Sequence, residues 1–398
     1  MVITCSILFW GVLGFLIPKK YMRGYMLLAA IGMSSLYFFF VPPKVYDVSR
    51  HYEALHVLRK CNIWQIVNGD LGRRSESFNS LFQSSPCYLY YAYFISLLQI
   101  DELLSVITGI IIYTSTSHII LMAADDIGED IADWKIALCF FFLLAMVDFR
   151  TISGIRNMMA YALFANILYR DVVRNANKVL CFSAYFALAN FHTSIFVLIA
   201  IRLLLALSRY IPKLVMLIGL LASFSFVEFI LNFLKRFSSI RMIQTLIVKM
   251  EAYGIGGGSY YIYSRAIIRF LHMIIYLSIL LYCKKKIPKT QLFEKYWDFL
   301  IMFIVFTFGA IRQYDIFVRG NILMYFTILP FLLLFLHYVA GDSPLWLNIP
   351  GSSEIGVSEV AVYLMIYCAI VLSFYLYFIY YYCSMDPGFI SGFRNVLS

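Results

Sequence analysis

Long apolar stretches bounded by basic residues constrain this chain more than any other feature. They fall at about 3–17, 25–41, 103–124, 135–149, 154–169, 176–191, 193–208, 213–233, 264–283, 297–311, 320–340 and 359–383. A helix crosses a bilayer with about 20 apolar residues and satisfies its own backbone polar groups while doing so. Of the 398 residues, 62% are hydrophobic and 14% charged, against roughly 45–50% and about 25% in soluble domains. The expectation is an all-α fold: a polytopic transmembrane bundle of about 12 spanning helices, forming a single integral membrane domain over 1–398.

Charge orients the spans. Basic loops at Lys19/Lys20/Arg23, Arg170/Arg174/Lys178, Arg209/Lys213 and Lys284/Lys285/Lys286/Lys289 belong on the cytoplasmic side by the positive-inside rule, which puts both termini outside. The run Ile3 to Ile17 has its basic residues after it rather than before, the reverse of a secretory signal peptide, and reads as a retained first span. Pro86 to Ile100 is apolar enough to span, yet counting it would turn every later basic loop outward. Its tyrosines, Tyr88, Tyr90, Tyr91 and Tyr93, suit a segment laid along the interface. Two long outer loops follow, 42–102 and 234–263, and the acidic stretch Asp125 to Asp133 falls on the cytoplasmic side. In the first loop Val48, Tyr52, Leu55 and Leu58 recur at helical spacing opposite Arg50, Glu53 and Arg59, predicting a short interfacial helix.

The net charge of +10 would admit nucleic acid, but the basic residues sit at the ends of apolar segments, facing headgroups or an anionic ligand, which argues against that partner. The cysteines show no zinc or redox spacing and read as apolar filler. Cys61 and Cys87 share an outer loop, which leaves one disulfide open. Asp125-Asp126-Ile127-Gly128-Glu129-Asp130 has no second copy to form a magnesium–diphosphate site, and Gly254-Ile255-Gly256-Gly257-Gly258-Ser259 lacks the lysine of a phosphate loop. Neither carries a metal or a cofactor.

More telling are basic residues on the face that should lack them: Arg50, Arg59, Lys60, Arg73, Arg74, Arg150, Arg156, Lys235, Arg236, Arg241, Arg265, Arg312 and Arg319. Arg156, Arg312 and Arg319 lie at or inside the ends of apolar helices, where an uncompensated charge costs about 2.5–3.5 kcal/mol. Arginine dominates the set, and its planar guanidinium donates bidentate bonds to phosphate oxygens. These residues either hold an anionic, phosphate-bearing ligand or snorkel and pair with Asp148, Glu228, Glu251 or Asp315. His192, between two apolar runs, is either a general base or a polar group satisfying a turn. Asp47 either activates a hydroxyl or caps the helix that follows it.

With those residues in view, the chain resembles the EpsG-like branch of the Wzy polysaccharide polymerases. The matching pieces are Asp47-Val48-Ser49-Arg50-His51-Tyr52, Gly154-Ile155-Arg156-Asn157, Phe191-His192-Thr193-Ser194, and Arg319 followed by Tyr325-Phe326 and Pro330. Their order and placement on one membrane face cover nearly the whole chain. One departure is Asn157, where the family usually has the longer Gln.

The resemblance implies a GT-C-like membrane glycosyltransferase in the bacterial cytoplasmic membrane. It would take a growing glycan from undecaprenyl pyrophosphate and join it to a new lipid-linked repeat unit at the outer face, without metal or nucleotide sugar. His192 or Asp47 would accept the proton of the attacking hydroxyl. Arg156, Arg312 and Arg319, with Arg50, Tyr52, Asn157 and Tyr325, would bind the pyrophosphate and substrate. Its partners would be lipid-linked donor and acceptor, membrane lipids, a chain-length regulator and a flippase. An O-antigen ligase differs chiefly in acceptor. A lipid-linked oligosaccharide flippase should instead have short loops and a charged cavity, and a secondary transporter paired interrupted helices.

Overall fold

The computed structural model describes residues 2–39, 47–68, 85–128, 131–147, 154–208, 210–223, 232–236, 247, 263–287, 292–311 and 313–339. The expected span at 359–383 and nearly all of the loop 234–263 lie outside the described residues. Within them the chain is all-α, with no strand.

In chain order the helices are α1 (Val2–Gly14), α2 (Lys19–Ser35), α3 (Asp47–Leu58), α4 (Ile63–Asn68), α5 (Pro86–Ser96), α6 (Leu103–Ile127), α7 (Asp133–Met146) and α8 (Ile155–Val172). There follow α9 (Lys178–Phe191), α10 (Ile195–Leu207), α11 (Lys213–Ala222), α12 (Tyr263–Lys286), α13 (Glu294–Gly309), α14 (Tyr314–Thr327) and α15 (Leu329–Val339). They form two compact units. The first takes in the chain to Asn166, Ala187–His192 and the chain from Leu329; the second takes in Ile167–Phe186 and Thr193–Ile328.

Of the described helices, α6, with 25 residues, is by itself long and apolar enough to cross a membrane. Ile316–Thr327 and Leu329–Tyr338 pass the same test only as a pair. The sequence suggests one run over 320–340, and the structure breaks it at Ile328. Pro330 accounts for the break, since it has no N–H to give the carbonyl four residues back and its ring would strike that carbonyl. Nearby, the Thr327 carbonyl accepts a 2.9 Å hydrogen bond from the buried Tyr296 hydroxyl.

In the first unit α6 packs against α2, α7 and α15. The approach of α2 is close: a Cβ on Gly109 would come within 2.6 Å of Ser34 Oγ and 2.8 Å of the Tyr37 ring, so a small residue is required there. Tyr113 donates to the Val147 carbonyl at 2.8 Å, which spends its one hydrogen. The 3.0 Å contact between the Tyr37 and Tyr113 hydroxyls is therefore donated by Tyr37, and both fully buried phenols are satisfied. At the start of α7, Lys135 is buried and donates to the His337 carbonyl at 3.5 Å, placing a cation at the negative end of α15.

The expected helix after the second apolar run is α3. Val48, Leu55 and Leu58 are buried while Arg50 and Glu53 are exposed, and the buried stripe packs on α5. The segment expected along the interface, α5, has 11 residues and spans about 16 Å, short of the roughly 30 Å of a hydrocarbon core.

In the second unit α13 packs against α10, α11, α12 and α14. A Cβ on Gly309 would fall 2.6 Å from the Leu221 carbonyl oxygen, so glycine sets the approach of α11 to α13. Asp171, with no exposed surface, accepts from Arg202 at 2.7 Å, Lys178 at 2.8 Å and the Tyr185 hydroxyl at 3.1 Å. Lys213 pairs with Asp298 at 2.8 Å.

Candidate functional site

The residues that carry the family resemblance come from distant parts of the chain, and in the first unit three of the four pieces meet at one ring, that of Tyr88 on α5. From α3, His51 is 2% exposed, with its Nδ1 2.8 Å from the Tyr88 hydroxyl and its ring edge-on to the phenol. From the first turn of α8, the Arg156 guanidinium carbon lies 5.5 Å from the Tyr88 ring centroid, and its Nη1 donates to Ser85 Oγ at 3.4 Å. From the end of α9, Phe191 packs edge-to-face on Tyr88 at 5.2 Å and also meets Tyr91.

Local sequence explains how each side chain arrives. His51 follows Val48 by three residues and precedes Leu55 and Leu58 by four and seven, so helical spacing puts it on the buried stripe of α3. Pro86 sits in the first turn of α5, where a missing N–H is harmless, and Tyr88 follows it within that turn. Arg156 opens α8, which aims its long side chain back toward the helix start.

Electrostatics fix the state of the imidazole. Burial, then the positive charges of Arg156 and Arg50, hold the His51 pKa well below its ordinary 6.5, so the ring is neutral. Arg156 is thus a cation whose position is set by an aromatic face and a serine hydroxyl, with a second cation, Arg50, exposed on α3. Asn157, the next residue on α8, has a buried Oδ1 with no hydrogen-bond partner. Tyr52 is anchored by a 2.8 Å hydrogen bond to Ser105 on α6, and burial pushes its phenol up to about 12. Nearby Arg59 bonds to the Ser96 carbonyl at 3.2 Å and pairs with Asp101, which His56 also contacts at 3.0 Å.

His192 lies in the break between α9 and α10, half-buried, its ring edge-on to Tyr161 at 6.4 Å, and its backbone N–H donates to the Leu188 carbonyl at 2.8 Å. Asp47 is the first residue of α3, and its side chain lies outside the described residues, as does Arg312. Arg319 and Tyr325 belong to α14 in the second unit. Arg319 is half-buried, and Tyr325 is buried with its ring 6.4 Å from that of His272. The acids weighed as partners for the outer arginines, Asp148, Glu228, Glu251 and Asp315, have side chains outside the described residues.

Two members of the cluster were given no role from sequence. The signal for His51 is its place on the apolar stripe of α3, which the spacing from Val48 to Leu58 carries. Tyr88 read as one interfacial aromatic among four, and nothing in a sequence links it to a histidine 37 positions away. Cys61 and Cys87 are both free thiols. Among the described residues no group of three or more His, Cys, Asp or Glu side chains could hold a metal ion.

Such an arrangement can bind an oxyanion. A guanidinium over an aromatic ring carries planar N–H groups suited to phosphate oxygens, beside an imidazole that adds no competing charge. Compared with protein-family models, with curated proteins and with solved structures, the chain matches none.

Proposed function

We propose that this chain is an integral membrane glycosyltransferase. In this reading about 12 helices span the bacterial cytoplasmic membrane, and lipid-linked repeat units are polymerised into a surface polysaccharide at its outer face. The membrane placement is supported by where apolar and charged groups lie. Val12, Leu28, Leu180, Leu214 and Val215 are each more than half exposed, whereas Asp171, Lys135 and Asn321 are wholly buried. Apolar exteriors with polar groups turned inward suit a hydrocarbon solvent.

The observation that carries the enzymatic reading is the meeting of the His51, Arg156 and Phe191 motifs at Tyr88. In the proposed reaction an acceptor hydroxyl attacks the anomeric carbon of the donor glycan. The bond from that carbon to undecaprenyl pyrophosphate breaks, and the pyrophosphate leaves with the electron pair. Arg156 stabilises the charge that develops on the leaving group, which is electrostatic work done by a preorganised donor. His192 accepts the hydroxyl proton, with Asp47 the competing acceptor.

The test is polymerisation of purified lipid-linked repeat units by the full chain in the presence of EDTA, read as a ladder on a gel. A ladder is expected from wild type. Arg156→Lys, which keeps the charge but loses the planar fork, should slow it by about 10²–10³-fold. Transfer of one preassembled chain to another lipid acceptor, with no ladder, would mean a ligase. No transfer of either kind by folded protein would end the proposal.

A further inference from the structure

In the first unit one ring stands between the cation and the base of the proposed reaction. Phe191 is the last residue of α9 and is buried. His192 follows it directly, held to the same helix by its N–H bond to the Leu188 carbonyl at 2.8 Å. The Phe191 ring docks edge-to-face on Tyr88 at 5.2 Å and lies 5.7 Å from the ring of Tyr91. Tyr88 is also the ring that carries the Arg156 guanidinium, at 5.5 Å. The path from cation to base therefore runs from Arg156 to Tyr88, from Tyr88 to Phe191, and across one peptide link to His192.

Tyr91 completes the clamp on Phe191. Its ring lies 6.1 Å from that of Tyr88, and its hydroxyl shares a 2.8 Å hydrogen bond with that of Thr108, a wholly buried residue of α6. Apolar contact alone has no direction. A buried hydroxyl that keeps its partner selects one rotamer of the ring that bears it, and α6 is the helix long and apolar enough by itself to cross a membrane. We propose that the bond between Thr108 and Tyr91 positions the base: it holds Tyr91 against Phe191, and Phe191 sets where His192 stands relative to Arg156. Thr108, Tyr91 and Phe191 touch no reacting atom in this reaction; each acts through its neighbour. That His192 and Arg156 serve as base and cation rests on the function proposed above; the chain of contacts does not.

The test is steady-state polymerisation of purified lipid-linked repeat units by the full chain, with rates referred to folded protein and unfolding midpoints measured alongside. Thr108→Val and Tyr91→Phe each remove one hydroxyl and keep the shape of the side chain. Each should lower kcat by about 10–10²-fold, the cost of a base displaced by up to roughly 1 Å, and leave KM for the repeat unit nearly unchanged. The double variant should be no slower than either single one, because both remove the same bond. Thr108→Ser keeps the hydroxyl and should restore the rate. Phe191→Leu breaks the next link and should slow turnover in the same way, with little further loss when combined with Thr108→Val. Lower midpoints with wild-type kcat per folded molecule would make the bond structural and overturn the proposal. So would losses that add in the double variant, or failure of both single variants to fold. Wild type that makes no polymer would remove the reaction and this role together, whereas equal polymer from wild type and both single variants would sink the positioning role alone.

Discussion

In the second unit Asp171 is gripped by Arg202 and Lys178, and Lys213 by Asp298, whereas in the first unit Arg156 lies on a tyrosine face with a serine hydroxyl beside it. In the second unit opposite charges on neighbouring segments meet and so join them. In the first unit the guanidinium meets a phenol ring and a hydroxyl, close enough to His51 to help keep that imidazole neutral. The ion pairs join helices, whereas the guanidinium on the Tyr88 face is the group that the proposed reaction uses. Substitutions at Asp171 and at the Tyr88 cluster should therefore separate, the former affecting stability and the latter turnover.

The largest separation is expected at His192 of the first unit. It is half-buried in a break between helices and contacts the edge of Tyr161, so His192→Ala removes no large packed surface. In the proposed reaction it removes the general base, worth about 10²–10⁴ in rate. Polymer length on membranes with matched protein levels is the measurement, with Asp47→Asn run beside it. Wild-type polymer from the His192 variant together with none from the Asp47 variant would move the proton acceptor to Asp47.

Next comes Asp171, where the expected effect is on stability. Asp171→Ala leaves Arg202 and the Lys178 ammonium without their carboxylate; breaking a buried ion pair in this way costs roughly 3–5 kcal/mol. Folded yield and unfolding midpoint should both fall. A normal midpoint with lost turnover would show that this network serves the reaction and that the contrast between the units is false.

Much of this layout was legible beforehand, and what was not has a physical reason. The apolar stripe of α3 and the polar break at His192 are local patterns, readable from residues within a turn or two. The division of 320–340 into α14 and α15 was missed although Pro330 was in plain view, because hydropathy averaged over a long run is blind to one missing N–H. Arg202 sits inside an apolar run and finds its carboxylate 31 residues earlier, and Tyr88 finds His51 at a separation of 37. Pairings of that kind depend on which helices pack together, and a single sequence does not carry that information.

The smallest expected effect is a pH dependence that belongs to the first unit alone. His51 is buried against Tyr88, with Arg156 and Arg50 adding positive charge, and its pKa lies well below 6.5 in the folded protein. Once unfolded, the same imidazole takes up a proton near pH 6.5. Above that pH both states are neutral and the full stability is present. As the pH falls below about 6.5 the unfolded state gains a proton that the folded state refuses, so stability drops by up to about 1.4 kcal/mol per pH unit until the folded pKa is reached. His51→Phe keeps a ring beside Tyr88 and removes the titration. It should unfold at a lower midpoint than wild type at pH 7.5, since the Tyr88 hydroxyl loses its partner, yet lose less on acidification to pH 5. Because all other titrating groups are common to the two proteins, the difference between their midpoint curves isolates His51. Parallel curves over that range would mean that His51 accepts a proton in the folded state, and Arg156 would then share its site with a second cation instead of a neutral ring.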